Sequence, residues 1–148
     1  DLNAASPDGK GSLGDALIAP TRLYQKSAKV ALETGAVSGI VHVTGGGLIE
    51  NPPRVYSDDL AFVMDCAAAP LPPLFGWLRD GGNIELTELA RTFNCGIGML
   101  IFCAADRANN VLTALQNGPE PEAKIVGALT PRGDGPAVVL NNLDQWEA

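Results

Sequence analysis

Within the 148 residues, the groups able to do chemistry gather in one run, Val41-His42-Val43-Thr44-Gly45-Gly46-Gly47-Leu48-Ile49-Glu50-Asn51, with Arg54 just beyond it. A β-branched apolar segment leads into three glycines and then into polar residues, which is how a strand brings bare backbone to a ligand. Three consecutive glycines lose much freedom on ordering and add no packing, so they suit backbone that turns sharply or lies close to something. Successive N–H groups in such a turn form a nest for an anion, phosphate above all, particularly where a helix follows. A plain tight turn is the competing reading, and for an isolated glycine triplet it is the more common one. The neighbours favour chemistry: His42 is the sole histidine, the side chain type that by default titrates near neutral pH. Thr44, Glu50, Asn51 and Arg54 add donors and acceptors. Gly46→Val is therefore expected to remove activity and leave stability nearly unchanged, whereas a structural turn would lose stability.

A second dense motif, Arg91-Thr92-Phe93-Asn94-Cys95-Gly96-Ile97-Gly98-Met99, runs into the apolar stretch Leu100-Ile101-Phe102-Cys103-Ala104. Two glycines at a strand start commonly mean close packing. Cys95 reads as a small packed residue rather than a nucleophile. The three cysteines, Cys66, Cys95 and Cys103, have no C-x-x-C spacing, so neither a disulfide framework nor a thiolate zinc site is expected. With one histidine, no metal site is expected from side-chain spacing.

Length and composition bound the protein to which such a site belongs. With 46% apolar residues over 148 positions, the chain can bury one good core and is too short for two ordinary domains. A formal charge of −7 gives no basic field and argues against nucleic acid as a main partner. An anionic ligand then needs local donors. No apolar run approaches the roughly 18 to 20 residues that span a bilayer, and Asp1-Leu2-Asn3 does not begin a signal peptide, so no membrane partner and a soluble, cytoplasmic protein are expected.

The elements that must position these groups alternate between helix and strand. Residues 1–14 are rich in Gly, Ser, Asp and Pro and read as a linker, with a domain over 15–148. A helix is expected over 21–34, with Thr21 as N-cap and Gly35 as stop. A strand over 39–43 then delivers the glycines, followed by a helical turn over 48–51 that Pro52-Pro53 ends. Residues 60–65 form a second strand, and the alanines and prolines of 67–73 a rigid connector. Helices follow over 73–79 and 84–92, the second capped by Asn83. Residues 100–104 read as an interior strand buried on both faces. Asp106 is expected to cap a helix to Asn117, and 124–129 and 137–140 read as final strands joined by a Pro/Gly turn. The order implies a mixed α/β (α+β) fold with about five strands and four helices.

The glycine run with Pro53-Arg54-Val55, the block Pro20-Thr21-Arg22-Leu23-Tyr24, the block Pro73-Leu74-Phe75-Gly76-Trp77-Leu78, and Gly82-Asn83-Ile84-Glu85 leading into the Arg91-to-Met99 motif occur together in one order. In these blocks, over residues 15–129, the chain resembles the carboxy-terminal domain of the phosphoribosylformylglycinamidine cyclo-ligases, also called aminoimidazole ribonucleotide synthetases. The resemblance implies a mixed sheet packed by helices, joined in an intact enzyme to an amino-terminal domain that dimerises and supplies most of the ATP site. It implies ATP and Mg2+, a homodimer, and ring closure of formylglycinamidine ribonucleotide to aminoimidazole ribonucleotide in purine biosynthesis. In that chemistry the formyl oxygen is phosphorylated and the amidine nitrogen attacks the same carbon, so positioning and charge neutralisation matter more than a protein nucleophile.

Carried onto this sequence, the resemblance suggests that Gly45, Gly46 and Gly47 line the cleft facing the amino-terminal domain and contact the phosphorylated substrate. It suggests that His42 and Thr44 act at the formyl or amidine end, that Asn51 and Arg54 fix an anionic group, and that Asn94 and Gly96, with Gly98, shape the opposite wall. Arg54 pairing only with Glu50, and Asn94 acting only as a left-handed helix cap, are the structural alternatives. Two departures stand out: Pro52 precedes Pro53 and stiffens the segment carrying Arg54, and Ala67-Ala68-Ala69 replaces a stretch where the family more usually carries a tryptophan. The chain by itself is expected to bind nucleotide poorly and turn over nothing. Rival expectations are another ATP-dependent enzyme of the same superfamily, of the selenophosphate, thiamine-phosphate or hydrogenase-maturation type, or a non-catalytic ligand-binding module.

Overall fold

The computed structural model of the chain describes residues 1–147. Its first residues form turns that end at α1 (Leu13–Ile18), where Ser12 and Asp15 make a reciprocal capping box. The amide of Asp15 donates to Ser12 Oγ and the amide of Ser12 to Asp15 Oδ2, satisfying donors that a helix start leaves open.

The next helix, α2, covers Gln25–Glu33 rather than starting at Thr21. The Pro20-to-Tyr24 block runs ahead of it without helical structure, and Tyr24, not Thr21, stands at the N-cap. Strand β1 (Val37–His42) leads through the glycines into the single turn α3 (Gly47–Glu50), and Pro52–Val55 continues as a 3-10 turn. Strand β2 (Leu60–Asp65) lies where the apolar run placed it, followed by a 3-10 turn at Cys66–Ala68. Helix α4 (Pro73–Gly82) carries proline in its first turn and ends on Asn83 at φ +47°. Asn83 therefore closes one helix instead of opening the next, since asparagine tolerates the left-handed conformation that a helix end requires. Helix α5 (Leu86–Thr92) starts after it, and β3 covers Met99–Cys103. The segment from Ala105 begins as a 3-10 turn, so α6 starts at Ala108 (Ala108–Gln116) with no cap from Asp106. Strands β4 (Gly127–Pro131) and β5 (Val138–Asn141) complete the order, with a last 3-10 turn at Leu143–Trp146.

The strands form two sheets packed by helices. In one, β1 and β3 are antiparallel, with Val41 opposite Leu100 and His42 opposite Met99. In the other, β2 lies between β4, antiparallel, and β5, parallel. The last two strands thus flank β2 instead of pairing with each other. Strand β3 is not interior to a sheet, pairing only with β1 among the described residues. Its two faces are nevertheless both used. Leu100 and Phe102 enter the main core with Val41, Val43, Leu48, Met64 and Leu89, while Ile101 and Cys103 pack against the smaller cluster of Ala31, Val111 and Leu115 from α2 and α6. Among the described residues no helix is long and apolar enough to cross a membrane.

Candidate functional site

The glycine loop sits where β1 ends and α3 begins, and its three glycines have three different reasons for being there. Gly47 is buried at φ +54°, and a Cβ on it would lie 2.6 Å from the Phe93 carbonyl oxygen and 2.9 Å from Arg91 C. Bare backbone is needed there so that α3 can rest against the end of α5. Gly46 has φ +97°, and a Cβ would stand 2.8 Å from Asn51 Nδ2. Gly45 differs from both: its φ is not left-handed and nothing lies within 4 Å of a Cβ built on it. The expectation that Gly46→Val spares stability is thereby corrected, because strain and contact both oppose a side chain at that position.

Asn51 holds this loop. It is 1% exposed, accepts from the Thr44 amide at 2.7 Å and donates through Nδ2 to the Gly45 carbonyl at 3.0 Å. With both ends of its carboxamide on the loop backbone, it acts as a brace. Asn51→Ala removes both of these loop bonds at once, so urea unfolding should show a loss of about 1–3 kcal/mol. The remaining turn bonds use the amides of Gly47, to the Thr44 carbonyl, and of Glu50, to the Gly46 carbonyl. Among the described residues the N–H groups of Gly45 and Gly46 take no protein acceptor. They follow exposed Thr44, which is two residues past the end of the strand that carries exposed His42.

The Arg91-to-Met99 motif folds against the same loop. The Val43 amide donates to the Gly98 carbonyl at 2.9 Å, and Arg91 pairs with Glu50 at 3.5 Å. Glu50 is therefore Arg91's partner, and Arg54, exposed on the 3-10 turn, forms no ion pair among the described residues. Asn94 is not a helix cap. Its carbonyl accepts from the Ile97 amide at 2.9 Å and its Oδ1 from the Gly96 amide at 3.0 Å. Cys95 at φ +49° and Gly96 at φ +87° occupy the centre of this turn, the signs of a type I′ geometry. Gly96 lies tight on the Pro72 ring, whose Cδ is 2.9 Å from where a Cβ would be. Cys95 is buried, with its thiol directed at the Leu89 and Phe93 carbonyls. Burial, then the neighbouring Cys66, pushes that thiol up to about 12, so it stays protonated at neutral pH and packs rather than attacks.

Residues that sequence reasoning did not single out as site groups complete the end of the β1–β3 pair. The Tyr24 ring meets His42 edge to face, with centroids 5.7 Å apart, and it also covers Gly98. The Arg22 guanidinium carbon lies 5.8 Å from the Tyr24 centroid and pairs with Glu120 at 2.7 Å. Burial raises the Tyr24 phenol above its ordinary value, keeping it neutral. The signal for these residues was the Pro20-to-Tyr24 block, which had no assigned purpose until folding brought it here.

A cavity of about 790 Å³ lies between β3, α6 and β4 and takes Tyr24, Gly96 and Gly98 into its lining, but neither His42 nor the glycine triplet. The loop and His42 stand on an open rim. The described residues contain no group of three His, Cys, Asp or Glu side chains arranged to hold a metal ion.

With the geometry in hand, comparison with known proteins is specific. Residues 2–139 match the family described as AIR synthase related protein, C-terminal domain. The chain is 45% identical over 117 residues to the chloroplastic phosphoribosylformylglycinamidine cyclo-ligase of Arabidopsis thaliana, covering 79% of this chain and 30% of that protein. It is likewise 45% identical over 118 residues to the phosphoribosylformylglycinamidine cyclo-ligase of Chromobacterium violaceum, covering 80% of this chain and 34% of that protein. The chain thus spans about a third of the length of these curated relatives.

Proposed function

The chain belongs to the AIR synthase related family, as its C-terminal domain, and from that premise we propose that it is the substrate-cleft half of an ATP-dependent enzyme closing formylglycinamidine ribonucleotide to aminoimidazole ribonucleotide. The names of its relatives favour this reaction over the selenophosphate, thiamine-phosphate and hydrogenase-maturation alternatives. The observation that carries the reading is the meeting, at one open rim, of two free backbone amides, Gly45 and Gly46, with exposed His42 and Thr44 and with the fold of the Arg91-to-Met99 motif.

In the proposed reaction ATP transfers its terminal phosphoryl group to the formyl oxygen, releasing ADP. The amidine nitrogen then attacks that carbon, loses a proton, and phosphate departs. The residues of this chain orient and neutralise. The Gly45 and Gly46 amides receive the ribose phosphate, Arg54 supplies a free positive charge, and the Asn94 Nδ2 hydrogens remain for a polar group because Oδ1 is already used by Gly96. Asn51 holds the loop in register, and Gly47 and Gly96 let the supporting backbones meet. Thr44 and His42 serve the reacting end, His42 accepting the proton of the attacking nitrogen. A rim this open needs a second wall, which supports an amino-terminal half that closes over it, brings ATP and forms the homodimer. A divalent cation would neutralise the polyphosphate; the described residues of this chain offer no side-chain cluster to hold one. The compartment proposed is a soluble one that carries out purine synthesis.

The test is a chimera in which this chain replaces the matching segment of the Chromobacterium violaceum enzyme. The chimera should form aminoimidazole ribonucleotide with stoichiometric ADP. A folded, dimeric chimera without that product would overturn the reading. Within it, His42→Asn should lower kcat about tenfold to a hundredfold with KM little changed. A rise in KM alone would leave His42 only a binding role.

A further inference from the structure

We propose that Tyr24 is the positioning residue for His42, held in place by the bare backbone of Gly98 and by the Arg22–Glu120 pair; the inference rests on the role given to His42 above. His42 closes β1 with an exposed side chain that has no hydrogen-bond partner among the described residues. An exposed imidazole in that situation samples several rotamers, and a proton acceptor must keep one. The ring that restricts it is Tyr24, edge to face at 5.7 Å and 63°. Such contact biases the orientation by roughly three- to tenfold.

Tyr24 is itself fixed from two sides. Gly98 has no left-handed φ to require glycine, yet a Cβ there would overlap the Tyr24 hydroxyl and lie 2.8 Å from its Cζ. Its missing side chain is room for the phenol. On the other side the Arg22 guanidinium lies 5.8 Å from the ring centroid, anchored at 2.7 Å by Glu120, whose other oxygen accepts from Ser27 Oγ on α2. A line of contacts, Glu120 to Arg22 to Tyr24 to His42, therefore ties the loop after α6 to the strand end beside the glycines. The geometry also accounts for the late start of α2: residues ahead of Gln25 must stay out of the helix for Arg22 and Tyr24 to reach across.

Because His42 is the sole histidine, its ring protons give one resolved set of NMR signals in the 148-residue chain. Those signals should carry the Tyr24 ring-current displacement in the wild type and in Tyr24→Phe, and lose it in Tyr24→Leu. Gly98→Ala, which displaces the phenol without removing it, should lose it as well. In the chimera, Tyr24→Leu should lower kcat about tenfold with KM little changed, Tyr24→Phe should stay near wild type, and Tyr24→Leu should add nothing in the His42→Asn background. Unchanged His42 signals in a folded Tyr24→Leu chain overturn the inference, as does a loss of the same size with His42 and without it, which would mark Tyr24 as a packing residue only. A His42→Asn chimera of undiminished activity would instead overturn the catalytic role of His42 while leaving the NMR result standing.

Discussion

Gly47→Ala is expected to lower the free energy of unfolding by about 3–5 kcal/mol, the sum of a left-handed φ forced on a residue with a side chain and of overpacking against rigid backbone. The new methyl would stand 2.6 Å from the Phe93 carbonyl oxygen and 2.9 Å from Arg91 C, with the Ala90 carbonyl oxygen nearer still, at a buried position of φ +54°. None of these neighbours is a side chain that can swing away. They form the last turn of α5 and its exit into the Asn94 turn, so relief means separating α3 from α5 and with it the two motifs of the site. Gly45→Ala is the internal control, because nothing lies within 4 Å and no left-handed φ is required; its effect on stability should stay within about 0.5 kcal/mol. Gly46→Ala should fall between them, since it presses on Asn51 Nδ2 at 2.8 Å. Urea unfolding of the three variants measures the order, and a Gly47→Ala loss no greater than that of Gly45→Ala would refute the close approach of α3 to α5. Ligand contact by the loop is therefore best tested at Gly45, the one glycine whose side chain would disturb only what approaches from outside.

Trp146→Ala should be almost as damaging, about 3–5 kcal/mol by the usual cost of removing a buried indole. Trp146 is 1% exposed, in the last 3-10 turn of the described chain, and its Nε1 donates to the Ala69 carbonyl at 2.9 Å and the Cys66 carbonyl at 3.2 Å. Its own carbonyl accepts from the Arg79 guanidinium on α4. The indole lies against the Ala67-to-Pro72 connector, whose alanines bring no large side chain of their own. A ring distant in sequence thus supports a stretch of alanines. Trp146→Phe keeps much of the volume but leaves the Ala69 carbonyl without its donor, so a smaller loss of about 1–2 kcal/mol is expected. Thermal or urea melts of both variants decide the matter: an unchanged midpoint for Trp146→Ala would mean that the connector stands without the indole.

How legible the molecule was depended on whether a signal was local. Strand β2 was readable over 60–65 because its run of apolar residues has turn residues on both sides, and α4 because Pro73 at its start fixes a helical φ. The helix expected over 21–34 failed at its first turn, where Arg22 and Tyr24 have tertiary partners, Glu120 and Gly98, that outweigh helix propensity. Asn83 was assigned to the wrong helix because asparagine serves both as N-cap and as left-handed terminator, and only the packing of Ile84 into the core selects the second. The final strands suggested a hairpin by proximity, but each found a free edge of β2. Within the site, His42, the glycines and the Arg91-to-Met99 motif were visible as unusual residue types in unusual runs. Asn51 as a brace, Tyr24 as a neighbour of His42 and the separate duties of the three glycines were not, since each depends on an atom distant in sequence or on a backbone angle.

By itself the sequence determined the class of fold, the strand–glycine–helix turn and the family, because periodicity, proline and glycine act over a few residues and a set of rare blocks in one order is carried by the chain alone. The tertiary structure decided which glycine is free and which is trapped, that Arg91 rather than Arg54 has the ion pair with Glu50, that Cys95 is sealed in a protonated state, and that Tyr24 and Trp146 reach across the fold. Those outcomes are contacts between residues far apart in sequence, settled by packing and burial, which a one-dimensional pattern does not carry.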